Sequence, residues 1–142
     1  MTALVIFDLD GVLIDSEVIA SEVIARAMQA RGVAITGGDV IAQHTGRRAE
    51  DIVSLTAAAH GVSFPNGFAQ ELEALVLAEL VVALKPVAGL TDILARLDRM
   101  SWCVASNSPA ARMERCLAAA SLTPPFAPRL FSAEHVAKGG VR

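Results

Sequence analysis

Three aspartates crowd a short segment near the N-terminus. The segment reads FDLDGVLIDSE, from Phe7 to Glu17, and it places Asp8, Asp10 and Asp15 within eight residues. Carboxylates that lie this close raise one another's pKa, so the cluster is unfavourable unless something neutralises it. What the cluster binds is therefore the first question about function.

A divalent cation would neutralise these carboxylates, and a phosphate group could then bind beside it. Asp8 and Asp10 directly follow an apolar run, and Gly11 permits a sharp turn. A spacing of two along extended backbone points both side chains in the same direction, and oxygen ligands suit Mg²⁺. One carboxylate beside the cation could attack phosphorus while the second transfers the proton.

Two other interpretations of the segment are a plain turn or helix cap and a calcium-binding loop. An EF-hand loop needs its glycine at the sixth position, whereas Gly11 stands at the fourth position counted from Asp8. This mismatch excludes the EF-hand, and the plain turn stays open.

Apolar periodicity predicts the elements around the cluster. ALVIF, residues 3–7, predicts a strand that is buried on both faces of a parallel sheet. Apolar residues at three- and four-residue steps predict a helix from Ser16 to Arg31, and RRAEDIVSLTAAAHG predicts a second helix that ends at Gly61. TGGD between them predicts a turn, and a third helix is predicted from about Phe68 to Leu84. Residues 16–84 therefore predict helices and no strand.

An α/β pattern resumes after Pro86. Thr91 is predicted to cap a helix that carries Ile93, Leu94 and Leu97, and WCVAS, residues 102–106, predicts a second strand. The next helix is predicted to have Ser108 at its N-cap and Pro109 at its first position, and RLFSA predicts a third short strand. The segment before this helix would attract an anion through backbone N–H groups, or it would serve only as a helix cap.

Two of these segments resemble motifs of a known superfamily. FDLDGVLIDSE resembles the first motif of the haloacid dehalogenase-like hydrolases, and CVASNSP resembles their second motif. The return through PVAGLTDILARL is similar to the branch whose helical cap follows the first motif. The resemblance implies an α/β fold: an incomplete Rossmann-like parallel-sheet core of residues 1–15 and 86–142, with an inserted all-helical cap of residues 16–85.

The resemblance also implies roles for individual residues. Asp8 would be the nucleophile and Asp10 the acid/base, with the Asp8 side chain and the Asp10 backbone carbonyl on Mg²⁺. Ser106 would bind the phosphate with help from Asn107. The implied activity is a magnesium-dependent phosphatase of small phosphorylated, sugar-phosphate-like metabolites that works through an aspartyl-phosphate. A phosphomutase of the β-phosphoglucomutase kind would share that intermediate.

The predicted cap carries a further candidate site in HTGRRAED. The resemblance implies that Gly46, Arg47 and Arg48 contact substrate, and arginine suits a phosphate or a carboxylate through bidentate bonding. A solvated pair of arginines is an equal alternative. His44 lies near the same loop, where it is a candidate for a substrate contact.

The chain departs from the family pattern at its C-terminal end. The third motif is a lysine, but Gly140 stands at its place if Gly139 is the preceding glycine, and Lys138 lies two residues too early. The acidic fourth motif does not appear before Arg142. A catalytically impaired member that acts as an interaction module is therefore an alternative. An open sheet edge would also favour a homo-oligomer.

Composition narrows the class of partner. Lys and Arg number 12 against 15 Asp and Glu, and the resulting charge of −3 argues against a nucleic-acid partner. The longest apolar stretch, Ala74 to Leu84, is interrupted by Glu79 and falls short of the roughly 20 residues that a membrane span needs. Cys103 and Cys116 form no CxxC pair, which favours a reducing compartment. With no leader pattern, the predicted location is the cytoplasm.

Overall fold

The computed structural model of the protein describes residues 4–97 and 100–135. The chain divides into two compact units, one formed by Met1–Ser16 with Leu84–Arg142 and the other by Glu17–Ala83. The first, here named the sheet unit, contains the three described strands, and the second, the helical unit, contains only helices among its elements.

The sheet unit is built on a parallel sheet. Its three strands are β1 (Leu4–Phe7), β2 (Ser101–Ser106) and β3 (Leu130–Ser132). They lie in the order β1-β2-β3, with Phe7 beside Val104 and Ser106 beside Ser132. The carboxyl ends of the strands therefore meet at one edge of the sheet. The predicted α/β fold with a Rossmann-like parallel sheet is confirmed.

Seven α-helices occur in the part of the chain that the structure describes. In chain order they are α1 (Ser16–Gln29), α2 (Gly37–His44), α3 (Ala49–His60), α4 (Phe68–Ala83), α5 (Leu90–Arg96), α6 (Ala110–Ala119) and α7 (Thr123–Phe126). Short 3-10 turns cover Ala127–Arg129 and Ala133–His135. The predicted helices are present, whereas α2 and α7 were not predicted.

A capping box explains why helix α2 forms although the sequence pattern predicted a turn. TGGD does not simply turn the chain, because Thr36 is the N-cap of α2. The Thr36 hydroxyl accepts the Asp39 N–H at 3.1 Å, and the Asp39 carboxylate accepts the Thr36 N–H at 2.9 Å. This reciprocal pair satisfies two backbone donors at the helix start, which outweighs the poor helix propensity of the two glycines.

Two other helix starts also differ from the prediction. Gly89, rather than the predicted Thr91, is the N-cap of α5, and that helix begins at Leu90. Pro109 is the N-cap of α6, and its first helical residue is Ala110. Ser108 does not cap α6: its hydroxyl donates to Asp10 and accepts from Arg112.

Each unit has its own apolar core. In the helical unit, Met28, Phe68 and Leu72 are almost fully buried in one cluster, and α3 packs against α4. In the sheet unit, the Trp102 ring packs edge-on against Phe126 with 5.2 Å between the ring centroids. Gly61, at φ 64°, ends α3 as predicted.

One face of β1 is exposed, which corrects the expectation of a strand buried on both faces. Leu4 and Ile6 are 57% and 61% exposed. β1 stands at one edge of the described sheet, so the apolar run has a neighbouring strand on one side only. The association of this edge with a second copy of the chain stays a prediction.

No helix within the described residues is long and apolar enough to cross a membrane. Helix α4 contributes Phe68, Ala69, Leu72 and Leu80 to the buried interior, whereas Leu75, Val81 and Val82 of the same helix are exposed.

The packing of α4 gives a stability prediction with a matched control on the same helix. Leu72 is 1% exposed, so Leu72→Ala should lower the free energy of unfolding by about 2–5 kcal/mol through lost contacts and a residual cavity. Leu75 is 43% exposed, and Leu75→Ala should change it by no more than about 0.5 kcal/mol. Urea unfolding followed by circular dichroism measures both, and equal losses would contradict the described packing.

Candidate active site

The loop after β1 is held rigidly at both ends. Leu9, Leu13 and Ile14 are fully buried, and Gly11 adopts φ 73°, a conformation that favours glycine. The loop is also tied to the segment where the chain returns to the sheet unit, because the Val87 N–H donates to the Leu13 carbonyl at 3.0 Å. The aspartates of this loop therefore occupy defined positions.

A depression of about 250 Å³ lies at the carboxyl ends of the strands. Its lining comes from the ends of β1, β2 and β3 and the residues that follow them: Asp8, Ala105, Ser106, Asn107, Phe131, Ser132 and Ala133. The structure thus brings together Asp8, Ser106 and Asn107, three of the residues that the sequence predicted for the site.

Asp8 is exposed, and its Oδ1 accepts the Leu9 N–H at 2.7 Å. This bond fixes one carboxylate oxygen and leaves the other for a ligand in the depression. The Ser106 Oγ accepts the Ser108 N–H at 3.1 Å, so Ser106 shapes the turn before α6 and also lines the depression. Its hydroxyl proton stays available to an anion.

Asp10 faces a different set of partners. Arg112 on α6 forms a two-armed ion pair with it, because Nη2 donates to Oδ1 and Nη1 donates to Oδ2, each at 3.0 Å. Ser16 Oγ donates to Oδ1 at 2.6 Å and Ser108 Oγ donates to Oδ2 at 3.0 Å. The side chains of Asp10 and Arg112 are 26% and 24% exposed, so the pair is largely withdrawn from water.

These contacts control the pKa of Asp10. Burial alone would raise the pKa of this carboxyl group, but the hydrogen bonds and charge of Arg112, with the Ser16 and Ser108 hydroxyls, lower the pKa below its ordinary value of 3.8. Asp10 is therefore an ionised carboxylate at neutral pH.

The start of α6 already carries an anion from the chain itself. Glu134 Oε2 accepts the Ala110 N–H at 3.0 Å, and the Ser132 hydroxyl donates to the Ser108 carbonyl at 2.7 Å. The sequence predicted that backbone N–H groups here would attract an anion, and at Ala110 the carboxylate of Glu134 takes that place. β3 and α6 are joined by these contacts.

The described residues offer few side-chain ligands for a magnesium ion. Within residues 4–97 and 100–135, no three acidic, histidine or cysteine side chains gather in a group that could hold a metal. Asp8 offers one carboxylate in the depression, while the carboxylate of Asp10 is engaged by Arg112. Mg²⁺ is commonly held by one or two carboxylates with substrate phosphate and water, so the single carboxylate of Asp8 fits the minimum of such a set.

The predicted substrate residues Gly46, Arg47 and Arg48 lie in the helical unit. Gly46 adopts φ 76° in the turn after α2, Arg47 Nε donates to the Gln43 carbonyl at 3.2 Å, and Arg48 is the N-cap residue of α3. Their contact with a substrate stays a prediction.

His44 is buried at the end of α2 rather than exposed on the loop. It is 6% exposed, and its Nε2 lies 3.5 Å from the Thr56 hydroxyl oxygen. Burial, with the nearby charge of Arg47, lowers the pKa of His44 below 6.5. A depression of about 270 Å³ in the helical unit includes His44, Arg47 and His60 in its lining.

Lys138, the candidate for the catalytic lysine of the third motif, lies outside the described residues, as do Gly139 and Gly140.

Sequence reasoning missed Arg112, Ser16 and the lining contributed by Ser132. One signal for Arg112 was available: it stands four residues after Ser108 on a predicted helix, which places both on one face. The pairing with Asp10 joins residues that are 102 positions apart, and nothing in the periodicity of either segment predicts it.

Comparison with known proteins assigns the family. Residues 2–141 match the haloacid dehalogenase-like hydrolases. The chain therefore belongs to this family of hydrolases, and the resemblance of its first two motifs is confirmed.

Several relatives are similar over most of the chain. The 6-phosphogluconate phosphatase of Escherichia coli (strain K12) is 27% identical over 129 residues, which are 90% of this chain and 58% of the relative. A haloacid dehalogenase-like protein of unknown function from Agrobacterium tumefaciens str. C58 has a TM-score of 0.88 at 29% identity, covering 98% of this chain and 62% of that one. A HAD family hydrolase from Deinococcus radiodurans R1, with bound phosphate and sodium, has a TM-score of 0.76 at 26% identity, covering 94% and 58%.

The chain thus spans between 58% and 62% of the length of these three relatives.

The low pKa of Asp10 predicts a pH-dependent contribution to stability. A carboxyl group whose pKa is lowered by folding stabilises the fold above its unfolded pKa, and this stabilisation is lost as the pH falls through the folded pKa. Asp10→Asn should therefore lower the free energy of unfolding by about 1–3 kcal/mol near neutral pH. The difference from the wild type should narrow as the pH falls below about 4.

Urea unfolding at a series of pH values measures this difference. Asp15→Asn is the matched control, because Asp15 lies exposed on the same loop and should change stability little. A deficit of Asp10→Asn that stays constant from neutral to acidic pH would contradict the described ion pair.

Proposed function

We propose that the protein is a phosphatase of small phosphorylated metabolites and that Asp8 is its nucleophile. The observation that supports this proposal most directly is the depression at the carboxyl ends of the strands, where Asp8 lies with Ser106 and Asn107. In parallel α/β sheets, ligands bind at this edge. Hydroxyl and amide donors opposite a carboxylate are the groups needed to hold a phosphate next to a nucleophile.

The proposed reaction has two steps at Asp8. A carboxylate oxygen of Asp8 forms a bond to phosphorus while the ester P–O bond breaks, and the leaving oxygen takes a proton from Asp10 in its protonated form. Water then gives a proton to the Asp10 carboxylate and attacks the aspartyl-phosphate, which releases inorganic phosphate and restores the Asp8 carboxylate. Ser106 and Asn107 orient the phosphate by donating to its oxygens, and Asp10 is the proposed proton carrier.

Mg²⁺ is the proposed cofactor. The Asp8 carboxylate and the backbone carbonyl of Asp10 would hold it, and the cation would neutralise charge on the phosphoryl group. Since the carboxylate of Asp10 is engaged by Arg112, affinity for the ion in the absence of substrate should be weak.

The relatives guide the choice of substrate. The curated relative carries the name 6-phosphogluconate phosphatase, and the Deinococcus radiodurans structure contains bound phosphate. A phosphorylated sugar acid is therefore the first natural substrate to test. Arg47 and Arg48, the arginines of the loop after α2, are proposed to recognise its carboxylate. A cytoplasmic location stays a prediction from the sequence.

Hydrolysis of a generic aryl phosphate tests the proposal. Turnover should require Mg²⁺, and Asp8→Asn should lower kcat by at least about a thousandfold, because the amide cannot replace the attacking carboxylate. Asp15→Asn is the control, since it makes the same charge change on the same loop but Asp15 does not line the depression. Its kcat should stay within about twofold of the wild type.

A folded, soluble sample without magnesium-dependent turnover of either aryl phosphate or 6-phosphogluconate would contradict the proposal. The alternative from the sequence, a non-catalytic member that acts through binding, would then replace it.

A further inference from the structure

The carboxylate of Asp10 has no acceptor direction left for a substrate. An ionised carboxylate offers about four lone-pair sites. In the structure Oδ1 accepts from Ser16 and Arg112, and Oδ2 accepts from Ser108 and Arg112. A group in this state can neither donate a proton to a leaving oxygen nor accept one from water.

The position of Asp10 agrees with this bonding. Asp8 lines the depression at the strand ends, but Asp10 is not among its lining residues. The Asp10 side chain is directed to α6, where Arg112 stands one turn after Ser108 and also donates to the Ser108 hydroxyl. Arg112 therefore holds both Asp10 and one of the other donors to Asp10.

We propose that Arg112 is a positioning residue that clamps Asp10 in a resting arrangement, and that Asp10 must leave Arg112 before it can transfer a proton. The inference rests on the proposed phosphatase function, in which Asp10 is the proton carrier. It adds a residue outside the two motifs that define the site. The clamp differs from a merely structural ion pair because weakening it should raise turnover.

The planar guanidinium makes Arg112 suited to this task. Its two Nη groups match the two carboxylate oxygens, which lysine cannot do with a single ammonium group. Arg112→Lys should therefore keep the positive charge and loosen the hold, while Arg112→Gln should remove the charge and both charge-assisted bonds. Arg115→Gln is the matched control, because Arg115 lies exposed on the same helix and forms no ion pair within the described residues.

The first measurement uses turnover of an aryl phosphate with Mg²⁺. Arg112→Gln should raise kcat about tenfold, and Arg112→Lys should raise it about threefold. In both variants a larger fraction of the molecules would have Asp10 released from residue 112 and able to transfer a proton. KM should change little, since the proposed phosphate contacts come from Ser106 and Asn107. The gain should vanish when Arg112→Gln is combined with Asp10→Asn, and Arg115→Gln should match the wild type.

The second measurement does not depend on turnover. The guanidinium ¹⁵N–¹H signals of Arg112 at low temperature should differ between the wild type and Asp10→Asn, because two of its hydrogen bonds go to the Asp10 carboxylate. Addition of Mg²⁺ with orthovanadate, which mimics phosphorus in transfer, should move the wild-type guanidinium signals toward those of Asp10→Asn while the amide signals of Ser106 and Asn107 shift.

The outcomes separate the clamp from the function. A fall of kcat in Arg112→Gln, or guanidinium signals of Arg112 that stay unchanged while vanadate shifts the Ser106 and Asn107 amides, would overturn the clamp and leave the phosphatase in place. Absence of both turnover and vanadate binding would overturn the proposed function, and the release of Asp10 with it. Freely rotating wild-type Arg112 would overturn the clamp whatever the activity.

Discussion

A carboxylate withdrawn from water needs donors and an opposite charge, and in the sheet unit this requirement falls on Asp10. Arg112 supplies the charge from a position 102 residues further along the chain, and Ser16 and Ser108 supply the remaining hydrogen bonds. The Asp10 side chain therefore connects the loop after β1 to the first residue of α1 and to helix α6. The depression lined by Asp8 forms beside this fixed group.

Much of the fold could be predicted because the spacing of apolar residues differs between strands and helices. The runs before Asp8 and around Trp102 predicted β1 and β2, and helical periodicity predicted α1, α3 and α4. The helix α2 could not be predicted in the same way. The N-terminus of α2 is stabilised by reciprocal hydrogen bonds between Thr36 and Asp39. The two glycines between these residues are typical of a turn, so the sequence pattern indicated a turn instead of a helix start.

One part of the candidate site could be predicted from local sequence patterns, and another part depends on long-range packing. That Asp8 would lie near Ser106 and Asn107 followed from the sequence, because the carboxyl ends of parallel strands meet at one edge. The separation of Asp8 from Asp10 did not follow, although a spacing of two along extended backbone predicted side chains on the same side. The strand ends at Phe7, so that rule no longer applies at Asp10. Arg112 then draws the second carboxylate to α6.

The two aspartates of DLDG thus have different surroundings, one exposed in the depression and the other held in an ion pair. Asp8 is the proposed nucleophile and Asp10 the proposed proton carrier, so the two proposed roles fall on carboxylates with different surroundings. The helical unit carries a second set of polar groups, including Arg47, Arg48 and His60, on its own helices and loops. Of these groups, Arg47 and Arg48 are the ones proposed to recognise the substrate.

The proposed function requires that the depression beside Asp8 binds phosphate with Mg²⁺. The most direct test is a titration of the ¹⁵N-labelled chain with Mg²⁺ and inorganic phosphate, followed through its backbone amide signals. We expect saturable shifts of the amide signals of Ser106, Asn107 and Ser132. These shifts should require both ligands and should be lost in Asp8→Asn. Shifts confined to the helical unit, or shifts that persist unchanged in Asp8→Asn, would contradict it.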